Sequence, residues 1–112
     1  ALTRQTKALI EHYDDMARNA PVGEALATLF AYEGQVPTIA WQKIKGLSEH
    51  YGFAPAQFEF FSVHLVADIA HAGHEMEAID IASDDDDRVV AATEEACTLL
   101  LGFLDGCMEE AA

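Results

Sequence analysis

Three side chains that can bind a metal recur at helical spacing in the second half of the chain. His64, Asp68 and His71 stand at positions i, i+4 and i+7, which lie within about 60° of one another around a helix. Two imidazoles and a carboxylate suit a non-haem iron, and also manganese or zinc. Their neighbours are mostly apolar, and ionisable groups are seldom buried in such surroundings without a partner or a metal. The pattern favours a metal-binding face over a solvent-facing polar stripe or locally hydrogen-bonded histidines.

Glu33 is a second candidate ligand. It lies in an apolar segment, four residues before Pro37. A carboxylate at this place could bridge or cap a metal held by a facing helix, as in carboxylate-bridged di-iron bundles. Taken alone, Glu33 fits an exposed glutamate better. Beside the His/Asp face of residues 64–71, the two interpretations are evenly balanced.

The hydrophobic periodicity predicts four helices and no strand, which together form an all-α helical bundle. We expect helices over residues 2–19, 22–50 and 55–81, and a fourth that Ser83 caps. Pro37 predicts a kink within the second helix. Gly52 predicts a left-handed stop at its end. The 112 residues suffice for a single domain, residues 1–112.

Composition narrows the possible partners. Six basic residues oppose twenty acidic ones, which gives a formal net charge of −14 and disfavours nucleic acid and anionic membranes as partners. Cys97 and Cys107 would lie about 15 Å apart along one helix, too far for a disulfide. Free thiols fit a reducing cytoplasm. His12 and His50, each beside a glutamate near a helix end, are interpreted as surface residues.

Several of these segments resemble a known family. The runs AYEGQVPTIA at residues 31–40, KIKGL at 43–47 and HYG at 50–52 are similar to the family that contains pyrroloquinoline-quinone synthase and TenA-like proteins. The run FFSVH at residues 60–64, followed by Asp68 and His71, resembles its metal-binding branch, the haem-oxygenase-like di-iron oxidases. The resemblance covers about residues 26–79.

The resemblance implies a ligand set. Four of the six ligands of the metal-binding branch fall on Glu33, His64, Asp68 and His71. The other two, a Glu and a later His from an earlier helix, have no counterpart, because the pair at residues 11–12 is adjacent and wrongly spaced. The family fold has seven helices, so the chain resembles the C-terminal part of such a haem-oxygenase-like fold.

The resemblance also implies a function. We expect a non-haem iron oxidase or oxygenase, or the C-terminal part of one, that acts with O2 on a small carboxylate or amine substrate. One or two iron ions would bind, with manganese as an alternative metal. Two other hypotheses remain open: a non-catalytic α-helical interaction module of the same superfamily, and a TenA-like hydrolase that uses a nucleophilic cysteine. Because four helices of a larger bundle leave an apolar face uncovered, we expect pairing with a second copy or with a missing N-terminal segment.

Overall fold

The computed structural model describes residues 1–112 and contains helices but no strand. Five α-helices and one short 3-10 turn follow one another along the chain: α1 (Arg4–Asn19), α2 (Val22–Glu33), α3 (Val36–Tyr51), the 3-10 turn (Pro55–Phe58), α4 (Glu59–Ala82) and α5 (Asp86–Ala111). The all-α prediction is therefore confirmed. None of the helices combines the length and the apolar content needed to cross a membrane.

The second predicted helix is divided in two, so the expected kink is in fact a break. Helix α2 ends at Glu33, a turn covers Gly34 and Gln35, and α3 begins at Val36. Pro37 then lies in the first turn of α3, where its missing N–H would have had no helical partner anyway. The proline therefore starts a new helix here, whereas inside a continuous helix it would remove a hydrogen bond.

Gly52 ends α3 as predicted. Its φ of 67° and ψ of 25° are left-handed, a conformation that glycine adopts without a Cβ clash. The N–H of Phe53 donates to the carbonyl of Leu47 at 3.0 Å, which closes the helix with the hydrogen bond typical of a left-handed C-cap.

The predicted cap of the last helix was wrong by two residues. Asp85, not Ser83, caps α5, because its carboxylate accepts the N–H of Arg88 at 3.2 Å. Ser83 still belongs to the end of α4, since its N–H donates to the carbonyl of Ile79. Its hydroxyl accepts the N–H of Asp85 at 3.2 Å, so it shapes the turn between the helices.

The chain divides into two compact units. Residues 1–32 and 75–112 form the first, and residues 33–74 form the second. In the first unit α1 packs along α5, and Ala27, Ile79 and Ala92 form a buried cluster. In the second unit α3 contacts the 3-10 turn, and Val36, Ala40 and Phe58 are buried.

His12 is not the surface residue that its position beside Glu11 suggested. Its side chain is only 13% exposed, and its Nδ1 lies 3.9 Å from a carboxylate oxygen of Glu95 on α5. The packing of α5 along α1 covers it, which no local pattern around residue 12 could indicate. His50 is exposed, as expected.

Candidate metal centre

Asp68 and His71 lie side by side on α4. They are three residues apart, and side chains at this spacing meet on a helix surface. Asp68 is buried, with 5% of its surface exposed, whereas the His71 side chain is 55% exposed. The two side chains approach to 3.0 Å between Nδ1 of His71 and Oδ1 of Asp68. An ionised carboxylate only accepts hydrogen bonds, so Nδ1 of His71 is the donor and its Nε2 stays available.

Glu33 brings a third ligand atom to this pair. It is the last residue of α2 and is half-buried. One ligand atom each of Glu33, Asp68 and His71 lies within 4.8 Å of the other two. Two carboxylates that close together repel each other, and a cation between them would offset that repulsion. Carboxylate and imidazole donors suit ferrous iron or manganese, so the donor set fits the metal that the sequence predicts.

His64 does not belong to this three-residue cluster. Its ring Nδ1 lies 2.7 Å from the carbonyl oxygen of Phe60, one helical turn earlier. Its imidazole also stacks on the Phe60 ring, with centroids 4.1 Å apart and an angle of 27° between the planes. Of the four predicted ligands, the structure therefore brings three together and places the fourth, half-buried, against an aromatic ring. Phe60 was missed as a partner, although its i, i+4 spacing to His64 is visible in the sequence.

Tyr13 has a clearly perturbed ionisation. Its hydroxyl donates to the carbonyl of Thr28 at 2.9 Å. Burial raises the pKa of the Tyr13 hydroxyl above its usual value, and the ionisable groups of Cys97 and Tyr32 raise it further. All four residues lie in the unit formed by residues 1–32 and 75–112. A tyrosine on an apolar helical stripe is usually a packing residue, so the sequence alone gives no sign of the environment of Tyr13.

The family to which the chain belongs agrees with the metal-binding side chains and with the all-α fold. The chain belongs to a family of iron-containing redox enzymes, whose family model matches residues 1–100. This confirms the family resemblance predicted from the motifs.

Individual relatives carry one shared name. The chain is 43% identical to the 4-aminobenzoate synthase of Nitrosomonas europaea over 109 residues, which cover 94% of this chain and 44% of that protein. It is 42% identical to the 4-aminobenzoate synthase of Chlamydia muridarum over 88 residues, which cover 77% of this chain and 37% of the relative. The Chlamydia trachomatis protein of the same name is 41% identical over 86 residues, with 75% and 37% covered. The chain thus spans less than half the length of the curated relatives it matches.

Proposed function

We propose that this chain carries part of a non-haem iron centre of an oxidase or oxygenase that acts on a small carboxylate or amine. The observation that carries the proposal is the convergence of Glu33, Asp68 and His71 within 4.8 Å of one another. His64 is the fourth proposed ligand, supplied by the same helix. Membership of an iron-containing redox enzyme family supports the choice of metal.

Asp68 and His71 would have different roles at such a centre. Asp68 is an anionic ligand shielded from water, and an unpaired buried carboxylate is costly unless a cation or hydrogen bonds offset it. The hydrogen bond from Nδ1 of His71 to Asp68 holds that imidazole in one tautomer, with Nε2 as the donor atom. Iron bound by these ligands would pass electrons to O2 from the substrate or from a reductant. One or two ions could occupy the centre, with manganese as the alternative metal.

The name of the relatives supports a small carboxylate or amine as the class of molecule involved. Their shared name, 4-aminobenzoate synthase, denotes formation of a small aromatic acid that bears an amine. We propose that the protein to which this chain contributes acts on a molecule of that class. The two free cysteines, Cys97 and Cys107, support a reducing, cytoplasmic setting.

Metal analysis of matched variants tests the proposal. Wild-type protein loaded anaerobically with Fe(II) and then desalted should retain stoichiometric iron. His71→Ala and His64→Ala should lose it, while His50→Ala, which removes an exposed imidazole outside the cluster, should retain it. Wild-type protein that keeps no more iron than His71→Ala would refute the proposed centre.

A non-catalytic helical interaction module is the second candidate. The observation that favours it is the separation of His64 from the three-residue cluster, which leaves one of the four proposed ligands apart from the other three. Iron retention by the wild type, followed by O2 consumption when a reductant is added, would favour the oxidase. Iron retention without any O2 consumption would favour the module.

We also propose that the chain associates with a second copy or with a segment equivalent to the part of the relatives it does not cover. Large apolar side chains of α4 are exposed, among them Val63 at 54% and Val66 at 70%. Contiguous exposed apolar surface commonly marks an association site. Sedimentation of the purified chain tests this: a monomer at all concentrations, with no binding to an added partner segment, would refute it.

A further inference from the structure

The hydrogen bond of His64 fixes which of its nitrogens is free. A backbone carbonyl only accepts hydrogen bonds, so the 2.7 Å contact between Nδ1 of His64 and the oxygen of Phe60 requires the proton on Nδ1. In the neutral ring Nε2 then carries a lone pair and no hydrogen. This is the less usual tautomer for a histidine side chain in water, so an interaction must select it.

The ring of Phe60 restricts the same imidazole from one face. The two rings stack with centroids 4.1 Å apart. Phe61 meets Phe60 edge-on, at 5.3 Å and 90°, and has no ring contact with His64 of its own. Phe60 is itself 65% exposed, so packing in the core does not explain its position. What it does provide is a surface against which the His64 ring lies flat.

We propose that Phe60 is a positioning residue for the metal centre: its carbonyl and its ring together hold His64 as the Nδ1–H tautomer, with Nε2 as the free ligand atom. This inference rests on the proposed function of His64 as a ligand. Metal-binding histidines generally donate their other ring N–H to a carbonyl, a carboxylate or a water. His71 makes the equivalent bond to Asp68, so both imidazoles on α4 keep Nε2 free.

The first test reads the tautomer directly in the metal-free protein. Long-range 15N–1H NMR correlations, recorded near pH 8.5 where ordinary imidazoles are neutral, distinguish protonated from unprotonated ring nitrogens. The His64 signals are assigned by their absence in His64→Gln. Wild-type His64 should be protonated on Nδ1. Phe60→Leu, which removes the stacked ring, should shift the population towards Nε2–H, and Phe60→Tyr, which restores an aromatic face, should return it to the wild-type state.

Phe61→Leu is the matched control, because it removes a neighbouring ring that is not stacked on His64. It should leave the His64 tautomer as in the wild type. A wild-type His64 protonated on Nε2, or equal shifts in Phe60→Leu and Phe61→Leu, would overturn the proposal.

The second test measures Fe(II) affinity by anaerobic titration of the same proteins. Phe60→Leu should bind Fe(II) about 10-fold or more weakly, the usual loss when a residue that orients a ligand is removed. Phe61→Leu and Phe60→Tyr should keep the wild-type affinity, and equal weakening in Phe60→Leu and Phe61→Leu would overturn the positioning role. If the wild type binds no Fe(II), the proposed function is wrong, while the NMR measurement still decides whether Phe60 orients His64.

Discussion

Replacing Asp68 by asparagine should raise or preserve stability without metal and abolish the stabilisation that metal provides. Asp68 is buried, and its carboxylate lies within 4.8 Å of a ligand atom of Glu33. Two negative charges at 4.8 Å repel by about 1 kcal/mol at the dielectric constant of water and by about 3.5 kcal/mol at an effective value near 20. The partial exposure of Glu33 places the real value between these limits.

Asp68→Asn removes this repulsion but weakens one hydrogen bond. The contact to Nδ1 of His71 at 3.0 Å changes from a charge-assisted to a neutral bond, a loss of about 1 kcal/mol. The free energy of unfolding of the metal-free variant should therefore be equal to that of the wild type or higher by up to about 2.5 kcal/mol. A buried carboxylate that served only the fold would give the opposite sign.

Metal should reverse this order. At a free metal concentration about 100 times the dissociation constant, binding stabilises the wild type by about 2.7 kcal/mol. For a chain of this size that corresponds to a rise in Tm of about 10 °C. Calorimetry with and without Mn(II), which avoids oxidation during heating, measures both effects. Mn(II) should raise the Tm of Asp68→Asn little. The control Asp80→Asn changes an exposed carboxylate on the same helix, and Mn(II) should raise its Tm as much as that of the wild type. Equal metal-induced rises in the wild type and Asp68→Asn would refute the reasoning.

Two further predictions concern the fold of the unit formed by residues 1–32 and 75–112. A Cβ at Gly23 would lie 2.6 Å from Cβ of Ser83, so Gly23→Ala should lower the free energy of unfolding in urea by about 1–3 kcal/mol. A Cβ at Gly102 would meet no atom within 4 Å, so the control Gly102→Ala should raise the free energy of unfolding by up to about 1 kcal/mol. Burial raises the pKa of Tyr13, so the unfolded chain ionises first and the wild type should lose stability as the pH rises above about 10. The free energy of unfolding of Tyr13→Phe should fall less over that pH range, although this variant lacks the hydrogen bond to the carbonyl of Thr28. An equal pH dependence of the free energy of unfolding in the two proteins would count against the raised pKa.

The sequence predicted the parts of the structure that depend on local spacing. Asp68 and His71 meet because three-residue spacing on one helix brings side chains together, whatever the rest of the fold does. Gly52 ends α3 because few other residues accept a left-handed conformation. The helical class followed from periodicity over long segments, and the relatives confirm the family that the motifs indicated.

The parts that the sequence could not predict depend on packing and on rotamers. The burial of His12 results from contact between α1 and α5, which are separated by most of the chain. The break at Gly34 and Gln35, where a kink was expected, depends on whether the proline begins a new helix or interrupts an old one. His64 has the correct spacing for a shared ligand face, yet it lies outside the three-residue cluster, because spacing does not determine the rotamer of its side chain.

Helix α4 gives the strongest physical argument for association. Between residues 60 and 69 the only Asp, Glu, Lys or Arg is Asp68, and Asp68 is buried. The exposed positions carry apolar side chains, including Val63, Val66 and Ile69. A chain with a net charge of −14 has ample acidic residues to solvate an outward-facing helix, but it places none of them at the exposed positions of this stretch. Large apolar side chains that are exposed together commonly mark an association site, so this surface is better explained as one that another chain or segment covers than as one that remains in water.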